Sequence, residues 1–233
     1  MKHFFSLSIV CTLLFLLTAC SSQPDTAKDG SAADTEHENM SAANEEPGTA
    51  VPTGEKPLIV YFTADENAGV DAVSSASIVT VDGEEKGLVR AVADMIAQET
   101  GGDLFPLVSE TPYPTDRDGV IEAAAEEQDA DARPVMMEHI ENLEDYDTVF
   151  IGYPTWWYDM PMILYSFFDE YDLSGKAIIP FNVHNGSRFS GTIDTIQQLE
   201  PDANVVTDGF TVSEQDVPDA DNDVSDWLRR VGY

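Results

Sequence analysis

Short apolar runs alternate along this chain with stretches in which apolar residues recur every three or four positions. Leu58-Ile-Val-Tyr-Phe62 is a continuous β-rich run, the pattern of a strand buried on both faces. Leu88, Val89, Val92, Met95 and Ile96 then repeat at helical spacing until Gly101-Gly102 stops the helix. Asp103 to Val108 predicts a second strand, Arg117 to Gln128 an Ala- and Glu-rich helix, and Val135 to Asn142 a further helix. Thr148 to Gly152 is a third strand. Pro161 to Tyr171 is a helix with Asp159 as its N-cap. Ala177 to Phe181 is a fourth strand, Thr192 to Leu199 a helix, Val205 to Phe210 a fifth strand, and Val224, Trp227 and Val231 line a last helix. Asn67 to Gly83 shows no clear strand or helix and reads as a long insertion. Strands alternating with helices imply right-handed parallel βαβ units. The expected fold is α/β, a three-layer sandwich around a five-stranded parallel sheet in the order 2-1-3-4-5.

The first segment breaks this alternation. Lys2 precedes an apolar run from Phe4 to Leu17, about the length of a signal-peptide core and short of the roughly 20 residues a spanning helix needs. Leu17-Thr18-Ala19-Cys20 resembles a bacterial lipobox. That resemblance implies a signal peptide over 1–19, cleavage before Cys20 and a lipid on its thiol. No twin-arginine pair precedes the run, so a Sec-type route is expected. Residues 20–56 hold the lipidated cysteine and an acidic Ser/Ala/Asp/Glu stretch, too poor in large apolar residues to offset its ordering entropy. They read as a disordered tether, and 57–233 as the folded domain. The expected location is extracytoplasmic, on a membrane surface.

Charge narrows the function classes. The 233 residues carry 44 acidic and 11 basic side chains, a formal net charge of −33. Such a surface cannot neutralise phosphates over a broad face, which argues against nucleic acid and against a polybasic membrane anchor. An apolar content of 42% is enough for a core and excludes wholesale disorder. The cysteines, Cys11 and Cys20, both lie near the N-terminus, so the domain has no disulfide framework and no cysteine zinc site. No Walker loop, Gly-x-Ser-x-Gly elbow or metal-type His pair is present.

Ligands of an open α/β sheet bind beyond the carboxyl ends of the strands, at the switch point. Three loops follow: Thr63 to Gly69, Tyr153 to Pro161 and Asn182 to Gly191. Trp156 and Trp157 are adjacent in a loop with prolines nearby, and a flat aromatic ligand stacked on a rigid indole explains them. Gly186 allows close backbone approach in a small polar loop whose amides can bond a heterocycle edge. His184 is a ligand donor or a solvated loop residue; Arg188 offsets ligand charge or pairs with a surface carboxylate. Asp65 and Glu66 read as a solvated turn or, less simply, a divalent-cation site.

The run Tyr61-Phe-Thr, Glu99-Thr-Gly-Gly-Asp-Leu-Phe105, Asp131-Ala-Arg-Pro134, Asp145-Tyr-Asp-Thr-Val-Phe-Ile-Gly-Tyr-Pro-Thr-Trp-Trp157, Ser174-Gly-Lys-Ala-Ile-Ile-Pro-Phe181 and His184-Asn-Gly-Ser together resemble a branch of the flavodoxin family, over essentially the whole domain. The resemblance implies non-covalent FMN and electron transfer through it. Thr155, Trp156 and Trp157 would flank the isoalloxazine ring, and Asn182, His184, Asn185 and Gly186 would line its pyrimidine side. Thr63, Ala64, Asp65 and Asn67 would form the phosphate loop, with Ser74 to Ser77 as further donors. That loop departs from the family pattern. Ser/Thr-x-Thr-Gly-Asn-Thr is replaced by Thr63-Ala-Asp-Glu66, and Gly87-Leu-Val89 stands where some relatives place Gly-Asn-Thr. Three readings follow: an FMN electron carrier docking on a redox partner with a basic patch, an FMN-dependent NAD(P)H:quinone-type reductase, or a flavodoxin fold that has lost FMN and binds another ligand outside the cytoplasm.

Overall fold

The structure, a computed structural model, describes residues 56–68, 78–81 and 83–233. The signal segment 1–19, Cys20, the tether up to residue 55, and Ser74 to Ser77 lie outside the described residues. In chain order the elements are β1 (Leu58–Tyr61), α1 (Ala64–Ala68), β2 (Ile78–Val81), β3 (Glu84–Gly87), α2 (Leu88–Thr100), β4 (Asp103–Pro106), α3 (Arg117–Asp129), β5 (Thr148–Pro154), α4 (Met162–Glu170), β6 (Ala177–His184), α5 (Thr192–Leu199), β7 (Asn204–Val205), β8 (Phe210–Ser213) and α6 (Asp221–Val231).

The continuous apolar runs pair with one another because each needs both faces covered. β1 lies between β4 and β5, with Leu58 in register with Asp103 on one side and Val149 on the other. β5 pairs with β6 from Thr148↔Ala177 to Pro154↔Val183. β6 then carries β7 at its start and β8 at its end. All these pairings are parallel, and the order β4-β1-β5-β6-β7/β8 is the expected 2-1-3-4-5 with the fifth position divided in two. The break falls opposite Ile179 and Pro180. Proline has no N–H for the ladder, and Gly209 passes so close to the Pro180 carbonyl that a Cβ there would stand 2.7 Å from its oxygen.

Alternation along the strands sorts the core into two layers. Ile59, Tyr61, Phe150, Ile179 and Phe181 face α2 and α6, meeting Val92, Ile96, Trp227 and Leu228. Leu58, Val60, Phe62, Ile151, Tyr153 and Ile178 face the other side, meeting Ile163, Leu164 and Phe167 of α4 and Ile196 of α5. Trp227 is wholly buried against the rings of Phe150 and Phe210, and its indole N–H donates to the Asp208 carbonyl at 2.7 Å.

Three local expectations change. Val135 to Asn142 is not a helix. The Glu110 N–H donates to the Val135 carbonyl and the Met137 N–H to the Val108 carbonyl, so the segment runs extended beside Ser109. Val135 and Met137 are exposed and Met136 is buried between them, a period of two rather than 3.6. Asp159 does not cap α4: Pro161 holds that position, and the Asp159 carboxylate accepts from the Met160 N–H and the Tyr165 hydroxyl. Part of the 67–83 insertion is ordered. β2 and β3 form an antiparallel hairpin closed at Val81↔Glu84, with Gly83 at φ +84° supplying the turn. Among the described residues no helix is long and apolar enough to cross a membrane.

Gly152 of β5 is in register with Phe181 of β6, whose ring fills the space above it. A Cβ at 152 would stand 2.1 Å from that ring. Gly152→Ala is expected to cost about 1–3 kcal/mol in urea unfolding, and adding Phe181→Leu should recover part of the loss.

Candidate functional site

The loops after β5 and β6 are built in strained backbone. Trp157 (φ +48°), Tyr158 (φ +65°), Arg188 (φ +52°) and Ser190 (φ +55°) are left-handed, and among the described residues Asp131 is the other non-glycine that is. Such conformations persist where surrounding contacts enforce them, and they collect at binding sites. The enforcing contacts are visible. Trp156 and Asp159 exchange both backbone hydrogen bonds, at 2.9 and 2.8 Å, closing the first loop. The Thr155 N–H donates to the Val183 carbonyl at 2.9 Å and its hydroxyl donates to the Arg188 carbonyl at 2.7 Å. The Asn182 carboxamide N–H₂ donates to the Thr155 hydroxyl at 2.5 Å and to the Arg188 carbonyl at 2.8 Å. Asn182 is wholly buried, and its Oδ1 has no partner. Leaving such an acceptor empty costs about 1–3 kcal/mol, so a donor from a bound molecule is the economical complement.

His184 ends β6 half-buried. Its Nδ1 accepts from the Gly186 N–H at 2.9 Å, which places the proton of the neutral ring on Nε2. Burial, then the neighbouring Arg188 charge, pushes its pKa below the ordinary histidine value, so the ring stays neutral. Asn185 and Gly186 are exposed at the tip, Gly186 at φ +97°.

The two indoles differ. Trp156 packs edge-on against Phe62 (5.1 Å between centroids) and Tyr113 (5.7 Å). Trp157 is 51% exposed and its Nε1–H donates to the Ile121 carbonyl at 3.1 Å. Between them and α3 lies a cavity of about 290 Å³, lined by Val120, Ile121, Ala124, Thr155, Trp156 and Trp157. That is near the lower end of small-molecule sites, and its walls are mostly apolar. Sequence reasoning missed α3 as a wall. The signal was there: Val120, Ile121 and Ala124 share a helix face, yet only Ala124 is buried.

The loop after β1 is arranged differently. Thr63 and Asn67 are 3% and 4% exposed, and Ala64 is also buried. The Asn67 amide donates to the Thr63 and Leu107 carbonyls, both at 2.9 Å, and its Oδ1 accepts from the Ser109 N–H at 2.7 Å. Asp65 and Glu66 occupy the first turn of the five-residue α1. Glu66 Oε1 accepts from the Tyr61 hydroxyl at 3.0 Å and from Arg90 at 2.9 Å. Arg90 also donates to the Tyr61 oxygen at 2.6 Å and to Asp94 at 2.6 Å, while Lys86 donates to Asp94 at 2.9 Å. Burial, reinforced by the Glu66 charge, drives the Tyr61 hydroxyl well above its ordinary pKa. Among the described residues no cluster suits a metal ion.

The structure thus brings Thr155, Trp156, Trp157, Asn182, His184, Asn185 and Gly186 to one edge of the sheet. Thr63, Ala64 and Asn67 turn inward, and Asp65 stays at the surface of α1 half-exposed. Against an FMN molecule the fit is divided. The apolar cavity, the indoles and the orphaned Asn182 oxygen suit a flat heteroaromatic ring with an N–H at its edge. The strand-one side does not suit a phosphate among the described residues, because the Tyr61 hydroxyl and the Asn67 amide are spent and its surface carries carboxylates.

α3 is held over the cavity by a second contact, the Tyr113 hydroxyl donating to Glu127 Oε2 at 2.7 Å. Burial raises the Glu127 pKa above the ordinary carboxylate value, the Tyr113 hydrogen bond offsetting part of it. Between the unfolded and folded pKa values the native state therefore binds more protons, and this group's contribution to stability falls as pH rises through that window. Glu127→Gln, which copies the protonated form, is expected to raise the urea midpoint at pH 7 relative to the parent and to match it near pH 4.

No curated protein matches this sequence. Among solved structures, a protein from Bacteroides eggerthii assigned as a flavoprotein aligns at 26% identity, TM-score 0.57, over 77% of this chain and 99% of its own. A flavoprotein assignment from Bacteroides uniformis aligns at 23% identity, TM-score 0.52, over 71% of this chain and 97% of its own. A flavoprotein from Lactobacillus acidophilus in complex with FMN aligns at 18% identity, TM-score 0.51, over 75% and 99%. The latter two are likenesses of fold. The flavodoxin family model matches residues 78–231, from the β2–β3 hairpin through both site loops to the end of α6. On that match, over well more than half of its length, the chain belongs to the flavodoxin family.

Proposed function

We propose that the chain is a flavin-binding redox protein that takes FMN non-covalently at the β5/β6 edge and exchanges electrons with a partner protein. The observation that carries this reading is the apolar cavity walled by two indoles and α3, next to two strained loops that are tied together by Asn182, whose buried Oδ1 has no partner. When bound, a flavin supplies one- and two-electron chemistry, which the side chains of this site do not possess. The chain's own part is to bind and orient. Trp157 offers an accessible indole face, Trp156 is fixed as a wall by Phe62 and Tyr113, and α3 closes the apolar side against water. Asn182 accepts from the ring edge, the His184 Nε2–H donates, and Thr155 keeps the two loops together. Carboxylates around the site disfavour additional negative charge on a bound ring and so lower its reduction potential.

The net charge of −33 steers the domain towards a basic patch on its redox partner, with an association rate that falls as salt rises. Lipid on Cys20 and the 20–56 tether would hold the domain outside the cytoplasm, close to a membrane surface.

Titration of the purified full chain with FMN tests the reading. Binding should quench flavin fluorescence and shift its visible bands. Asn182→Ala should weaken binding by about tenfold, the loss of one hydrogen bond of about 1.4 kcal/mol, and Trp157→Ala should reduce the quenching. No change up to roughly 100 μM flavin, where binding would be worth only about −5.5 kcal/mol, would reject it.

A further inference from the structure

We propose that this protein recognises a flavin by its ring and that its described residues make no favourable contact with a 5′-phosphate, so that riboflavin binds at least as well as FMN. The inference rests on the reading of the β5/β6 edge as a flavin site. In a doubly wound sheet of this order the ligand spans the switch between β1 and its neighbour β5, and its anionic group goes to the helix N-terminus that follows β1.

Two helix starts follow β1 here, and neither is open to an anion. The first, α1, is a single short turn that places the carboxylates of Asp65 and Glu66 where an anion would have to approach. The second, α2, begins at Gly87, which is buried, and Leu88 and Val89 behind it are 3% and 2% exposed. The Thr63 hydroxyl covers this start so closely that a Cβ on Gly87 would stand 2.0 Å from its oxygen. A phosphate could reach the α2 amides only by displacing Thr63.

Among the described residues, Asn67, Arg90 and Lys86 are also committed. All three hydrogen-bonding positions of Asn67 that face the protein are filled by Thr63, Leu107 and Ser109. Arg90 is held by Glu66, Asp94 and Tyr61, and Lys86 by Asp94 and Glu84. Counting Asp65, that cluster holds more carboxylates than cations. A phosphate dianion beside it meets net repulsion, whereas the ribityl chain of riboflavin ends in a neutral hydroxyl. The ring-side contacts, Asn182, His184, Thr155 and the indoles, carry no formal charge and are indifferent to the phosphate.

The test is a parallel titration of the purified full chain with riboflavin and with FMN, read by flavin fluorescence and by equilibrium dialysis, at about 20 mM and about 500 mM NaCl, on either side of the roughly 10 Å Debye length of 0.1 M salt. Riboflavin is expected to bind within about threefold of FMN or more tightly at low salt. FMN binding should tighten several-fold at high salt while riboflavin binding stays put. Asp65→Asn, a half-exposed position, should improve FMN and leave riboflavin unchanged. Tighter FMN binding by more than about threefold at low salt would overturn the inference and leave the ring site standing. If neither flavin binds, the ring-site reading itself fails, and this one with it.

Discussion

A parallel sheet covered on both faces meets water only at its strand ends, so any polar chemistry this domain performs must be assembled there. β1, β5 and β6 are buried almost residue by residue between the α2/α6 layer and the α4/α5 layer. The strand backbones inside pair with one another in a parallel ladder, apart from the break opposite Ile179 and Pro180. At the carboxyl ends the ladder stops, and the chain has to satisfy the last carbonyls and amides by other means. How it does so differs between the β1 end and the β5/β6 end, and that difference sets the character of the site.

At the β1 end most of the polar side chains are paired, the buried Oε2 of Glu66 excepted. Asn67 bonds three separate backbone groups from two segments, and Glu66, Tyr61, Arg90 and Asp94 form a hydrogen-bonded cluster with an excess of negative charge beside the start of α2. At the β5/β6 end the same device is left unfinished. The amide side of Asn182 binds Thr155 and the Arg188 carbonyl, and its buried oxygen has no partner. Backbone strain at Trp157, Tyr158, Arg188 and Ser190 is held in place by those bonds rather than relieved. One end is a compact polar cluster; the other is a pair of strained loops beside an apolar cavity.

Much of this was readable from the chain. The unbroken apolar runs named the central strands, because a strand buried on both faces leaves no room for alternation. The loops that follow β1, β5 and β6 could be named in advance, because sheet topology dictates where strands end. Legibility failed where a segment's partner is distant. Met136 between Val135 and Met137 looks helical in composition, yet it pairs with Ser109. The hairpin β2–β3 has few apolar residues of its own on β3 (Glu84-Glu-Lys-Gly87), so its pairing left no pattern to read. The break between β7 and β8 depends on Pro180 in a neighbouring strand.

The candidate site divides along the same line. Residue types alone marked Trp156, Trp157 and His184, the family resemblance added Asn182, and the carboxylates Asp65 and Glu66 already set the strand-one loop apart. Sequence by itself determined the α/β class, which follows from short-range periodicity, and its contiguous motifs carried the resemblance that implied the family and its strand order. Only the tertiary structure decided that α3 walls the cavity, that Asn67 and Thr63 face inward, and that one oxygen of Asn182 is left without a partner. Those outcomes depend on which groups from distant segments arrive within hydrogen-bonding distance, and on how much water is left between them, and neither is encoded in any local stretch of residues.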